Sequence, residues 1–63
     1  MLFKIKEIRE ALNMTQSQLC QLANVSRQTL IDLESNRDVN TTVATLQRIA
    51  YVLNCKVQDL ICN

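Results

Sequence analysis

The run TQSQLCQLANVSRQTLIDLESNR, residues 15–37, decides the fold. Thr15 is followed three residues later by Gln18, the capping-box pattern in which two side chains satisfy the first orphan amides of a helix reciprocally. The inner face of that helix is expected to carry Leu19, Leu22 and Ala23, with Cys20 beside them. Ser26 can cap a following helix that turns Leu30 and Leu33 inward. Only Asn24 and Val25 separate the two segments. So short a connection makes the second helix leave at a steep angle, and Leu19, Cys20, Val25, Leu30 and Leu33 should fill the inside of the corner.

Helical spacing continues on both sides. Phe3, Ile5, Ile8 and Leu12 form one apolar stripe with Lys4, Lys6, Glu7 and Glu10 outside it. Thr41-Thr42 precedes a fourth helix with Val43, Leu46, Ile49, Ala50 and Leu53 inward, and Val57–Ile61 reads as a final short helix. The expectation is an all-α bundle of five short helices in a single domain, residues 1–63. With no glycine in the chain, helix ends need another residue that tolerates a left-handed backbone. Asn13, Asn24, Asn36 and Asn54 each fall just past an apolar segment, where asparagine is the usual second choice.

Composition narrows the function. The core of a 63-residue chain supplies only a few kcal/mol, which argues against most enzymes. The absence of glycine and proline disfavours a many-turned β-barrel, whose hairpins lean on residues that accept φ > 0. Without histidine the usual neutral-pH acid/base and the commonest metal ligand are missing. Cys20, Cys55 and Cys62 form no C-x-x-C pair, so neither zinc nor any other cofactor is expected. An odd cysteine count without a secretory signal suits a reducing cytoplasm. No apolar run approaches the roughly 20 residues that cross a bilayer, so no membrane association is expected.

The opening run resembles the Cro- and lambda-repressor-like helix-turn-helix family, also called the XRE family, whose motif reads T-Q-x-x-L-A-x-x-x-G-V-S-x-x-T-I-x-x-x-E-x-G. Thr15, Gln16, Leu19, Val25, Ser26, Thr29, Leu30 and Glu34 stand at matching places. The likeness continues through TLQRIAYVLNCKVQDLI, residues 45–61, similar to the family's fourth and fifth helices. Cys20 stands where the family has alanine, and Asn24, Asn36 and Asn54 replace glycine at helix ends. Ile31 and Asp32 are less usual at outward positions. The resemblance implies a lambda-repressor-like bundle with its helix-turn-helix core at about 15–35, acting as a sequence-specific binder of double-stranded DNA. It also implies an ion pair between Arg9 in the first helix and Glu34 at the end of the third, which removes Arg9 from DNA contact.

On that reading the third helix lies in the major groove with its first turns at base edges. Arg27 suits guanine O6/N7 or a phosphate, Gln28 suits adenine N6/N7, Asp32 accepts from cytosine N4, and Ile31 touches a thymine methyl. Gln16 sits at a helix N-terminus, where backbone amides and the helix dipole meet a phosphate. Ser26, Thr29, Asn36, Arg37 and Thr41 are further candidates for backbone contacts. Each has a purely structural counterpart: Ser26 caps its helix in any case, and Arg37 can complement a helix C-terminal dipole.

The net charge is only +1. With Arg9 engaged internally, Lys4, Lys6, Arg27, Arg37, Arg48 and Lys56 remain, and they cannot share one face. One protomer would neutralise about three or four phosphates, too few for firm binding at physiological salt. A two-fold dimer doubles that number and spaces its reading helices about 34 Å apart, one duplex turn. A homodimeric autorepressor on a pseudo-palindromic operator is therefore expected. Tyr51, Val52, Cys55, Val57, Ile61 and Cys62 exceed what so small a core hides and form the candidate interface, with Met1, Leu2 and Phe3 as a second patch. The competing function is a protein-interaction module, an antitoxin or antirepressor whose apolar tail captures a protein partner. The near-neutral charge and the Ile31-Asp32 pair keep it open.

Overall fold

Three hydroxyls start three of the helices. Thr15 Oγ1 accepts from the Gln18 amide at 3.1 Å while Gln18 Oε1 accepts from the Thr15 amide at 2.8 Å, a complete capping box. Ser26 Oγ accepts from the Thr29 amide and Thr42 Oγ1 from the Thr45 amide, each at 3.1 Å. The computed structural model describes residues 2–35 and 41–62, the side chains of Leu2 and Cys62 excepted. Within it α1 spans Ile5–Ala11, α2 Gln16–Ala23, α3 Arg27–Glu34 and α4 Val43–Val52. Asn13, Asn24 and Asn54 reverse the chain with φ of 56, 55 and 57°, doing the work of helix-terminating glycines. The fourth expected reversal, Asn36, lies outside the described residues.

The expected fifth α-helix is absent. Val57–Leu60 forms one 3₁₀ turn, started by the Lys56 amide donating to Asp59 Oδ2 at 3.0 Å. The chain then runs extended. Strand β1, Leu2–Phe3, pairs antiparallel with β2, Ile61–Cys62, setting Phe3 opposite Ile61. The Lys4 amide donates to the Leu60 carbonyl at 2.8 Å and prolongs the join. Phe3 therefore belongs to this ribbon and not to the first helix, as the stripe had suggested. Pairing with the other end of the chain competes with helix at both places and prevails.

Ile5, Leu19, Leu30, Leu33, Ile49 and Leu60 are completely buried and supply the bulk of the core. Helix α2 packs on both α3 and α4, and the 3₁₀ turn closes against α4. Cys20 and Val25 are half-buried at the corner, packed on that core. Leu12, Leu22 and Val43, all expected inside, are exposed. Leu12 caps α1 beyond its last regular residue, where Asn13 already turns the chain. On α2 the buried line is Leu19 and Ala23, one turn apart, which leaves Leu22 on the flank. Val43 opens α4 a turn before Leu46, the first core residue of that helix.

Candidate nucleic-acid interface

Helix α3 is held by its inner edge. Leu30 and Leu33 sink into the core, and Glu34 at its last turn meets Arg9 of α1. Arg9 Nε donates to Glu34 Oε2 at 2.7 Å and Nη2 to Oε1 at 3.1 Å, while Nη1 reaches the Met14 carbonyl at 2.7 Å. The two side chains are only 9% and 4% exposed, so the pair is shielded from water. Donating its hydrogen bond to Glu34 raises the Arg9 pKa against the opposing effect of burial. Gln16 Nε2 also donates to Glu34 Oε1, at 3.0 Å. One carboxylate thereby joins α1, α2 and α3.

That last bond was not foreseen. Gln16 was expected to meet a phosphate, yet its amide group turns toward Glu34. The two residues lie 18 positions apart, and nothing local in the sequence couples them. The first amides of α2 stay outside the helix ladder, as at every helix start. A shallow polar groove there is lined by Asn13, Thr15, Gln16, Ser17 and Arg27, among others.

The outer edge of α3 is different. Arg27 and Gln28, at the start of the helix, are exposed, and Thr29, Ile31 and Asp32 are half-buried. Gln28 Nε2 donates to Asp32 Oδ1 at 2.9 Å, one turn along the helix. Ser26 Oγ donates to Thr29 Oγ1 at 2.7 Å while capping the helix, so the Thr29 hydroxyl keeps its own hydrogen to give. Thr41 Oγ1 is buried and finds no partner among the described residues, and so is not presented to a duplex. Asn36 and Arg37 lie outside the described residues.

The candidate interface residues are mixed. Tyr51 is 87% exposed, whereas Val52, Cys55 and Val57 are half-buried against the core. Ile61 is half-buried and tied into the ribbon, and the side chains of Cys62 and Leu2 and all of Met1 are outside the described residues. Leu22, 64% exposed, joins Tyr51, Val52 and Cys55 around a shallow groove with Lys56 at its rim. Its helical spacing from Leu19 points to the core, and the packing of α2 between α3 and α4 leaves it on the flank instead. Burial pushes the Cys20 and Cys55 thiols up; Asp59 adds to this at Cys55, and Arg27 opposes it at Cys20. Both thiols are therefore held in their unreactive, protonated form at neutral pH.

A short helix locked along one edge, entered through the three-residue turn Asn24–Ser26 and offering long polar side chains from its first turns, defines a helix-turn-helix protein. The family described as "Helix-turn-helix" matches residues 5–60. The chain belongs to this family, of the Cro- and lambda-repressor-like (XRE) type. It is 37% identical over 57 residues to an uncharacterized HTH-type transcriptional regulator of Archaeoglobus fulgidus, covering 90% of this chain and 79% of that one. It is 38% identical over 58 residues to the immunity repressor protein of Bacillus phage phi105, covering 92% of this chain but only 40% of the repressor. A crystal structure of SinR, a master regulator for biofilm formation, in complex with DNA superposes with a TM-score of 0.80 at 27% identity, covering 87% of each chain. These relatives are regulators, not enzymes. Among the described residues no helix is long and apolar enough to cross a membrane.

Proposed function

We propose that this chain is a sequence-specific, cytoplasmic transcriptional regulator that inserts α3 into the major groove of double-stranded DNA. The observation that carries the proposal is the division of α3: the Arg9–Glu34 pair holds its inner edge, and Arg27 and Gln28 are exposed at its leading turns. Arg27 reads guanine or a phosphate, Gln28 reads adenine, Asp32 faces cytosine and Ile31 a thymine methyl. Ser26, Thr29, the start of α2 at Gln16 and the following Asn36 and Arg37 are assigned to the sugar-phosphate backbone. Arg9 plays no part in contact.

The protein acts as a homodimer on a pseudo-palindromic operator, as an autorepressor. Its low net charge calls for two protomers, and the exposed Leu22 and Tyr51, with Val52 and Cys55 beside them, supply an apolar face for joining them; Val57, Ile61 and Cys62 are assigned to the same interface. The same apolar face favours the second reading, a module that captures a protein partner in the manner of an antitoxin or antirepressor.

A titration against a selected duplex and a random one at several salt concentrations separates the two readings. A regulator prefers its selected site by at least about 10³-fold, with a steep salt dependence. Sedimentation of the wild type and of Tyr51→Glu completes the test. Self-association lost in the variant supports the dimer; a monomeric wild type with equal affinity for all duplexes sinks the regulator reading in favour of the interaction module.

A further inference from the structure

We infer that Asp32 sets the hydrogen-bonding polarity of Gln28, and that the two side chains together select a base with an exocyclic amine on its major-groove edge, adenine or cytosine, on the strand α3 faces. This rests on the reading of α3 as the helix that enters the major groove. The observation is the 2.9 Å hydrogen bond from Gln28 Nε2 to Asp32 Oδ1 across one turn of α3.

A glutamine amide is ambidextrous. One rotation about its last bond exchanges a hydrogen-bond acceptor for a donor, so an unrestrained glutamine can meet adenine N6–H with its oxygen or guanine O6 with its nitrogen. A carboxylate removes that choice, because it is acceptor-only when ionised. Turning Gln28 over would bring Oε1 against Asp32 Oδ1, two acceptors with no hydrogen between them. The nitrogen is thus committed to Asp32. Oε1, on the far side of the same planar group, becomes the polar atom offered outward.

What Gln28 then offers to the groove is an acceptor, its Oε1. In the major groove adenine N6 and cytosine N4 donate, whereas guanine O6 and thymine O4 accept. Every base pair carries one amino and one keto base on this edge. An acceptor held at that point therefore decides which strand carries the amino base, a property Gln28 lacks on its own. Asp32 is a positioning residue for Gln28 in this scheme.

The test uses the full chain and a selected duplex. The position read by Gln28 is located as the one whose base dependence Gln28→Ala abolishes. All four base pairs are then placed there, and binding by the wild type and by Asp32→Asn is measured, with circular dichroism confirming that both are folded. The wild type is expected to favour adenine or cytosine on the contacted strand by about tenfold over guanine and thymine. Asparagine can either accept from or donate to Gln28, so Asp32→Asn should reduce that ratio to under about threefold. An unchanged ratio in Asp32→Asn, or a wild-type preference for guanine or thymine, overturns the inference while leaving the regulator reading intact. Indifference to sequence at every position instead overturns the regulator reading on which it stands.

Discussion

Two side-chain contacts sit on opposite edges of α3: Arg9 to Glu34 at 2.7 Å and Gln28 to Asp32 at 2.9 Å. Their lengths are nearly equal. Their surroundings are not, because the first is shielded and the second is exposed to solvent. A shielded carboxylate that loses its partner keeps its desolvation cost, whereas an exposed one is taken up by water. An exposed glutamine–aspartate pair one turn apart adds only about 0.2–0.5 kcal/mol to a helix. Burial therefore makes the inner contact a holder of the fold. The outer contact matters for direction: it fixes which atom of Gln28 faces outward.

Breaking the inner contact should have the largest effect. Arg9→Met and Glu34→Gln should each cost about 3 kcal/mol, since each strands a shielded partner. A domain of this size has roughly 3–9 kcal/mol of stability in all, so either variant removes about a third of it or more. Urea unfolding of the singles and the double should give a double variant well short of the summed losses. Simple additivity would mean that the two charges do not act as a pair, and the contrast between the edges would fail.

On the outer edge, Arg27→Ala should leave stability within about 0.5 kcal/mol, because the residue is exposed and the helix tolerates alanine. Affinity for the selected duplex should fall by about 1–3 kcal/mol. Fluorescence anisotropy set beside thermal unfolding measures both. A loss of stability as large as that of Glu34→Gln would show that the edges are not separable.

Much of this division could be read from residue order. Thr15, Ser26 and Thr42 announce their helices through hydroxyl caps, and three asparagines mark reversals where glycine is lacking. Those signals are local. The Arg9–Glu34 pair spans 25 positions and came from family likeness rather than from spacing. Where the deciding partner was distant and no likeness supplied it, the reading failed. The pattern of Val57–Leu60 fits a 3₁₀ turn as well as an α-helix, and Ile61 finds its partner Phe3 at the opposite end of the chain. Periodicity placed Leu22 and Val43 on an apolar side without fixing how wide that side is once α2 lies between two neighbours. At the site, the spacing of Gln28 and Asp32 did carry the signal of their bond, since residues four apart on a helix are neighbours. Taken as separate base contacts, they concealed it.

The smallest expected effects lie between the edges, at the corner. Asn24 holds φ 55° and ψ 48°, a left-handed backbone that an ordinary side chain adopts at a cost of roughly 1–2 kcal/mol. Asn24→Ala should accordingly lose about 1 kcal/mol, since alanine lacks the short amide that offsets part of that strain. Asn24→Gly should move stability by only a few tenths, because relief at Cβ is countered by the greater freedom of glycine in the unfolded chain. Neither change touches the Arg9–Glu34 pair or the Gln28–Asp32 pair. In both variants DNA affinity should therefore follow the folded fraction, with the order of preferred bases unaltered. Equal stability of the two variants would mean that the left-handed turn does not set the corner, and that the clamp on Glu34 alone directs α3 outward.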